Sequence, residues 1–317
     1  MEKIKVGVVG VGYLGQHHAR IYSEMKDAEL VGVADVDAAR AGEIAKKFKT
    51  KAFSSYEELM EKAEAVSIVA PTVLHHEIAK KFLDAGVDVL LEKPMTRTVE
   101  EADELNEAAK KGGRILQIGH LERFNSAVRK VVDMVTTPMF IECNRLSPFP
   151  DRSTDVDVVL DLMIHDIDII LSLVNSPVKY IHAAGIPVIS KNVDIANARM
   201  EFESGCIANI TSSRISIKKE RKIRLFQPDT YISLDYQNQE LYAYNRVPNK
   251  KDPDGKPDIV GGKVKVVKDE PLKAELEAFL HSVRNRTRPL VSGEEGREAL
   301  KVAMLVQKEI MSRSVNI

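Results

Sequence analysis

The predicted helix 156–174 carries the polar residues Asp161, His165 and Asp168 between residues 158 and 171, where the remaining positions are mostly Leu, Ile and Val. Asp161, His165 and Asp168 follow one another at spacings of four and three residues, which places them on one helix face. Buried polar groups need hydrogen-bond partners or a ligand, so this face is either a set of satisfied core groups or a site. An imidazole, with an ordinary pKa near ~6.5, is a natural base for a hydroxyl proton. We therefore predict catalytic roles for Asp161 and His165, and Asp168 is expected to support them.

A metal site is the rival interpretation of the same helix face. Carboxylates and imidazoles bind metals, but structural and catalytic metal sites need three or four ligands. No other His and no Cys lies between residues 144 and 181, around His165. We therefore expect no metal.

A lysine stands at the end of a predicted strand, in the segment Glu92-Lys93-Pro94. Ligands of open α/β sheets collect at the carboxyl ends of the strands. An ammonium group there would stabilise the negative charge that develops when a hydroxyl loses its proton. The alternative is a solvated lysine on a loop. We predict that Lys93 is catalytic.

The segment Gly10-Val11-Gly12-Tyr13-Leu14-Gly15 follows a predicted strand and opens a predicted helix. In a dinucleotide site the first glycine makes a tight turn, the second lets the backbone approach the pyrophosphate, and the third packs helix against strand. Asp35 ends the next strand, where a carboxylate binds the adenosine ribose. A 2′-phosphate about 4 Å from it would cost roughly 1 to 4 kcal/mol, and Arg40 would offset only part of this. The sequence therefore predicts NAD rather than NADP.

Two patterns divide the chain near residue 120. Apolar strands alternate with amphipathic helices before it, which is typical of a parallel, doubly wound Rossmann sheet. After it, helices are followed by strands in series, which predicts an α+β domain with a mostly antiparallel sheet. The first part contains predicted strands at 4–9, 30–34, 65–70, 87–91 and 115–118 and helices at 36–48 and 99–111. The second contains helices at 123–135, 156–174, 272–284 and 294–312, strands at 198–202, 206–211, 231–234 and 264–267, and a surface loop at 248–262. We predict a dinucleotide-binding domain, 1–120, and a substrate-binding and oligomerisation domain, 121–317.

The composition excludes several classes of protein. Lys and Arg (46) balance Asp and Glu (47), so no overall field favours nucleic acid or an anionic membrane. No apolar run approaches the roughly 18 residues of a spanning helix, and the first residues lack a signal-peptide core. Cys143 and Cys206 are too few for a disulfide framework. We expect a cytoplasmic protein without nucleic-acid or membrane partners.

The ordered motifs resemble the glucose–fructose oxidoreductase, inositol dehydrogenase and MocA (Gfo/Idh/MocA) family. The resemblance covers essentially the whole chain. It depends on the glycine motif, the strand end at Asp35, Ala70-Pro71-Thr72 with His75, Glu92-Lys93-Pro94, Arg123-Phe124-Asn125 and Asp161-x-x-x-His165-x-x-Asp168. The lysine motif together with Asp-x-x-x-His is specific, whereas the glycine motif alone occurs in many folds.

The resemblance implies roles for individual residues. Lys93 and His165 would contact the reacting hydroxyl, Asp161 would complete a triad, and the Lys93-Pro94 peptide would be cis. Thr72 and His75 would border the nicotinamide. The cofactor site would comprise Gly10, Gly12, Tyr13, Leu14, Gly15, Asp35, Arg40, Ala70, Pro71, Thr72, His75, Glu92 and Lys93. The substrate site would comprise Arg123, Asn125, Arg145, Arg152, Asp161 and His165. The antiparallel sheet would supply the interface of a homo-oligomer, a dimer or a tetramer.

Cations in the second part bear on the substrate. Arg145 and Arg152 flank a proline-containing segment, and guanidinium groups suit phosphates. The Lys- and Arg-rich run 218–224 is interpreted as an edge strand protected from sheet association. The pattern is most similar to the nucleotide-sugar branch of the family, such as dehydrogenases that oxidise the 3-hydroxyl of UDP-N-acetylglucosamine. The alternatives are a polyol, inositol or simple-sugar dehydrogenase, an NAD-dependent glycosidase, a biliverdin-type reductase and a non-enzymatic dinucleotide sensor.

Overall fold

A computed structural model of the chain describes residues 2–149, 156–251 and 254–314. These residues form two compact units, and the chain passes between the units after Leu121, Asp269 and Leu300. The predicted boundary after residue 120 lies next to the first of these passages. The prediction also placed residues 270–300 in the second domain, and here the structure differs, because that segment belongs to the first unit.

The first unit is built on a six-stranded parallel sheet. Its strands are β1 (Ile4–Val9), β2 (Ala28–Ala34), β3 (Ala52–Phe53), β4 (Ala65–Ile68), β5 (Asp88–Glu92) and β6 (Leu116–Gly119). Their spatial order is β3-β2-β1-β4-β5-β6, and every neighbouring pair is parallel. The order reverses at β1 and β4, and such a switch point is where doubly wound sheets bind nucleotides. The Rossmann prediction is confirmed.

The helices of the first unit follow its strands. They are α1 (Gly15–Glu24), α2 (Ala38–Phe48), α3 (Glu57–Met60), α4 (His75–Asp84) and α5 (Val99–Gly112), and later α8 (Pro271–Asn285). Leu276, Phe279 and Leu280 of α8 are buried in one apolar cluster with Val6 and Ile21. Burial of these side chains explains why residues 270–300 return to this unit, because each Å² of apolar surface removed from water stabilises the folded chain by about 25 cal/mol.

The second unit is built on an eight-stranded sheet. Its strands are β7 (Phe140–Leu146), β8 (Val178–Ile186), β9 (Ile195–Phe202), β10 (Ile207–Ser213), β11 (Glu220–Gln227), β12 (Thr230–Asp235), β13 (Glu240–Lys251) and β14 (Pro257–Val264). The order is β14-β13-β12-β11-β7-β10-β9-β8, and only β7 and β10 pair in parallel. The prediction of a mostly antiparallel sheet is confirmed.

The helical segments of the second unit include the predicted catalytic helix. They are α6 (Ser126–Val132), a π-helical turn (Val159–Met163) and α7 (Ile164–Val174). The last helix, α9 (Gly293–Ser314), runs from the end of the first unit into the second. Most side chains of α7 are buried, as its apolar composition predicts.

Two local predictions in the second part are wrong. The segment 248–262, predicted as a surface loop from its Gly, Pro and Lys content, falls largely within β13 and β14, which pair with each other. The part of the cationic run 218–224 from Glu220 onward lies in β11 and not in an edge strand, because β11 has β7 on one side and β12 on the other. A hairpin between consecutive strands decides the first case, and pairing of β11 with the distant β7 decides the second; local composition indicates neither. None of the described helices has the length and apolarity needed to cross a membrane.

Candidate active site

The glycine loop between β1 and α1 has the backbone that a dinucleotide site requires. Gly10 has φ of +82°, a conformation that glycine adopts without strain. A side chain at Gly15 would overlap the Gly10 carbonyl oxygen, so α1 packs directly against the strand end. A side chain at Gly12 would meet only the Arg40 Nη1 atom, 3.8 Å away. The surface over Gly12 is therefore open to a ligand.

Asp35 is fixed beside this loop by two backbone hydrogen bonds. Its Oδ2 atom accepts from the Val11 N–H at 2.8 Å, and its Oδ1 atom accepts from the Asp37 N–H at 2.9 Å. Arg40 is exposed and lies 3.6 Å from the Asp37 carboxylate. The carboxylate of Asp35 is thus held at the strand end, as predicted from sequence.

A cleft of about 560 Å³ brings many of the predicted cofactor residues together. Among its lining residues are Gly10, Gly12, Asp35, Arg40, Ala70 and Pro71. The cleft also has a wall of Ser54, Ser55 and Tyr56 that sequence reasoning missed, because no motif marks the loop after β3. Open backbone at the glycine loop, a fixed carboxylate and an apolar lining that includes Val36, Leu74 and Ile78 fit a dinucleotide.

Other predicted cofactor residues lie nearby in the same unit. Tyr13 and Leu14 are exposed on the glycine loop, and the Tyr13 ring lies edge-on to His17. Thr72 is half-buried in the short turn before α4. These positions leave Tyr13, Leu14 and Thr72 open to a ligand.

His75 is placed differently from its prediction. It is 1 % exposed, with Nδ1 2.9 Å from the Pro94 carbonyl oxygen and Nε2 2.8 Å from the Ala70 carbonyl oxygen. A side chain buried in this way does not present itself to a nicotinamide. His75 instead ties the end of β4 to the loop that carries Lys93.

Burial of His75 predicts a loss of stability in acid. Burial lowers the pKa of its imidazole below the ordinary 6.5, although the two carbonyls act against the shift. The neutral form therefore contributes its full stability above about pH 6.5, and this contribution is lost as the pH falls. His75→Asn should lower the free energy of unfolding at pH 8 by about 1 to 3 kcal/mol and reduce its dependence on pH between about 7.5 and 5.5.

Urea unfolding at a series of pH values measures both quantities. His281→Asn, which changes an exposed histidine of α8, is the matched control and should keep the wild-type dependence. An unchanged pH dependence in His75→Asn would show that His75 is not the buried neutral group.

Lys93 and Glu92 have different surroundings. Lys93 is half-buried, and its peptide bond to Pro94 is cis, as the resemblance implied. Glu92 is buried, accepts a hydrogen bond from the Lys93 N–H at 3.2 Å and lies 3.3 Å from His18 Nε2. The Glu92 carboxylate also rests against Gly119, where a side chain would contact it at 2.9 Å. Glu92 was predicted to bind the cofactor, but its carboxylate is buried. It holds the backbone of Lys93 by a hydrogen bond.

The predicted catalytic helix begins with a π-helical turn that contains Asp161. Such wide turns occur frequently at functional sites. The Asp157 carboxylate caps the turn by accepting from the N–H groups of Val159 and Leu160. Asp161 and His165 are half-buried, so both remain partly open.

Asp168 differs from the other two polar residues of this helix. It is 2 % exposed, and the Arg123 guanidinium donates to it at 3.4 Å. This agrees with the supporting role that was expected for Asp168. It does not agree with Arg123 as a substrate-binding residue, because Arg123 faces a carboxylate of its own chain.

Two further predictions for the substrate site do not agree with the structure. Asn125 is 2 % exposed, caps α6 by accepting from Ala127, and donates to the Tyr236 carbonyl. Arg145 is also 2 % exposed, and its guanidinium is paired with Asp166 and Glu122. Neither side chain is available to a phosphate. Arg152 lies outside the described residues.

Asp166 is a buried acid that sequence reasoning missed. Burial raises the pKa of its carboxyl, and the charge of Arg145 acts against the shift. Burial alone would lower the pKa of the Arg145 guanidinium, but Asp166 and Glu122 raise it. The signal was available in β7, where alternation places Arg145 on the buried face with Ile141 and Cys143. A buried arginine requires an acidic partner.

Known proteins resemble this chain over both units. Residues 4–120 match the model of an oxidoreductase family with an NAD-binding Rossmann fold, and residues 127–230 match the GFO/IDH/MocA C-terminal domain. UDP-N-acetylglucosamine 3-dehydrogenase of Acidithiobacillus ferrooxidans is 36% identical over 97% of each chain. A solved structure of that enzyme covers 98% of this chain and 99% of its own, with a TM-score of 0.93. Myo-inositol 2-dehydrogenase of Thermotoga maritima is 26% identical over 99% of this chain and 98% of its own.

Proposed function

Because the chain belongs to the Gfo/Idh/MocA oxidoreductase family, we propose that it is an NAD-dependent dehydrogenase of the 3-hydroxyl of UDP-N-acetylglucosamine. The observation that carries the substrate is the 36% identity over 97% of both chains with the enzyme of that name. A polyol or inositol dehydrogenase is the second candidate, because the family relatives include inositol dehydrogenases.

The residues of this chain supply binding and proton transfer in the proposed reaction. The glycine loop, Asp35 and the end of β4 at Ala70 would hold NAD, with Tyr13, Leu14, Thr72 and Arg40 at its edges. When bound, NAD supplies the acceptor for a hydride. His165 takes the hydroxyl proton at its imidazole nitrogen. Lys93 stabilises the negative oxygen by its charge, and Asp161 binds the substrate or favours the charged imidazole.

Initial rates with a panel of alcohols test this function. NADH should form with UDP-N-acetylglucosamine at a kcat/KM at least about tenfold above that with free N-acetylglucosamine, myo-inositol or scyllo-inositol, since binding of the nucleotide part contributes to catalysis. NADH formation with an inositol alone would favour the second candidate. Release of UDP or sugar without NADH would indicate a glycosidase, and no turnover at all with NAD bound would favour a sensor.

The carboxylate of Asp35 should select NAD over NADP. A 2′-phosphate near this carboxylate would meet a like charge, worth about 1 to 4 kcal/mol at 4 Å. We expect Asp35→Ser to raise the ratio of kcat/KM for NADP to that for NAD by about tenfold or more. Asp84→Ser is the matched control, because Asp84 is an exposed acid of α4 that is not among the residues lining the cleft. An unchanged cofactor ratio in Asp35→Ser would contradict the assignment.

We also propose that the protein is a cytoplasmic homo-oligomer, a dimer or a tetramer, associated through the sheet of the second unit. An apolar contact on this sheet is supported by three exposed side chains, Tyr180 and Ile186 on β8 and Tyr244 on β13. Cys143 and Cys206 are unpaired thiols, which suits a reducing compartment. Sedimentation equilibrium measures the mass of the protein in solution, and a monomer at micromolar concentration would contradict the proposed oligomer. Recovery of the protein outside the cytoplasmic fraction would contradict the proposed location.

A further inference from the structure

A buried arginine, Arg145, donates two hydrogen bonds to Asp166, the residue that follows His165. The Arg145 Nε atom donates to Asp166 Oδ2 at 2.8 Å, and its Nη2 atom donates to Asp166 Oδ1 at 3.0 Å. The remaining Nη1 atom donates to Glu122 Oε1 at 3.0 Å, and the guanidinium lies 5.5 Å from the centre of the Tyr236 ring. Every edge of the guanidinium is therefore in contact with the protein.

A buried pair of this kind is a poor source of stability. Desolvation of two charges offsets much of their attraction, and apolar residues of similar volume often serve as well. The pair instead fixes an orientation. A guanidinium that donates two parallel hydrogen bonds, here called a fork, allows the carboxylate only one orientation. The pair fixes the first turn of α7 relative to β7, since Asp166 is the third residue of α7.

We infer that Arg145 is a positioning residue for His165, acting through its two hydrogen bonds to Asp166. The inference rests on the proposed function, in which His165 is the base. Asp166 is joined to His165 by one peptide bond, so rotation of the first turn of α7 would carry the imidazole with it.

The part of the helix that precedes His165 makes this fixation necessary. The π-helical turn ends at Met163, and α7 begins at Ile164. Because the helical geometry changes at this point, the rotation of α7 about its own axis depends on the contacts that its side chains make. Arg145 holds Asp166 and Arg123 holds Asp168, so two arginines fix this turn. Misplacement of a catalytic group by about 1 Å can cost about 100-fold in rate.

Arg145→Lys tests the fork while keeping the charge. A lysine is a point charge and cannot form both parallel bonds. The matched control is Arg214→Lys in the same unit, where an arginine that is 0 % exposed pairs with Asp194 at 2.9 Å. Arg214 also donates to the Val156 carbonyl and to the Ser190 hydroxyl, so each variant replaces a buried arginine that pairs with a buried acid and makes further hydrogen bonds.

We expect Arg145→Lys to lower kcat about 10- to 100-fold with little change in the KM for NAD. Both variants should lower the melting temperature by similar amounts, but Arg214→Lys should keep kcat within about threefold of the wild type. A kcat near the wild-type value in Arg145→Lys would overturn the inference. So would an equal fall of kcat in the two variants, which would assign the loss to general destabilisation.

A second readout does not depend on turnover. The imidazole signals of His165 can be identified in histidine-labelled protein by their absence from His165→Asn. We expect these signals to shift in Arg145→Lys and to stay in place in Arg214→Lys. Unmoved signals would overturn the inference even if the enzyme is active. Shifted signals in a protein that oxidises no alcohol would support the positioning and contradict the proposed function.

Discussion

Lys93→Met should lower kcat by about 100- to 1000-fold, the loss that follows removal of one group that stabilises a developing oxyanion. Methionine keeps much of the length of the side chain and removes its charge. The glycine loop and Asp35 are unchanged in this variant, so the Kd for NAD should change far less than kcat. Stopped-flow measurement of NADH formation, with NAD binding followed by calorimetry, separates the two quantities.

The control for Lys93 is Lys80→Met, which removes a half-buried lysine of α4 that pairs with the exposed Asp84. Lys80→Met should keep wild-type kcat, because an exposed ion pair contributes at most about 1 kcal/mol to stability and none to the reaction. If Lys93→Met also kept its kcat, Lys93 would be a solvated loop residue, the alternative interpretation of its position.

His165→Asn should lower kcat by about 100- to 10,000-fold, because a general base contributes that range. The wild-type rate should also fall in acid as the imidazole takes up a proton, and this fall should be absent from the residual rate of the variant. The pH dependence of kcat, measured for both proteins at saturating NAD, tests the two expectations together. His281→Asn serves as the control for a histidine that lies on the surface.

The double variant Lys93→Met with His165→Asn shows whether the two groups act on one step. Residues that act as a unit are strongly non-additive, so the double variant should be little worse than the more damaged single variant. A loss equal to the product of the single losses would mean that Lys93 and His165 contribute independently.

The parts of the fold that depend on local pattern could be predicted from sequence. The apolar run at residues 4–9 and the glycines that follow it gave β1 and the α1 turn at their observed positions. Asp35 was found because its position relative to the glycine loop is set by the βαβ unit itself. The antiparallel character of the second sheet followed from strands in series.

What could not be predicted depends on burial and on contacts between distant segments. Asn125 and Arg145 have the polarity of binding residues, but the first caps a helix and the second pairs with Asp166 inside the protein. The return of residues 270–300 to the first unit depends on the apolar face of α8. The alternation in β7 indicates that Arg145 is buried and needs an acidic partner, but nothing in these segments identifies which residue that partner is. Sequence patterns therefore indicate the type and burial of a side chain and do not identify its neighbours.

Transfer of the hydrogen from carbon 3 is the central claim, and isotopic labelling tests it most directly. UDP-N-acetylglucosamine that carries deuterium at carbon 3 is incubated with the protein and NAD, and the masses of the nucleotide products are measured by mass spectrometry. The account predicts that deuterium appears in the reduced nicotinamide together with a 3-keto sugar nucleotide. Deuterium that stays in the sugar, with NAD unchanged, would contradict it.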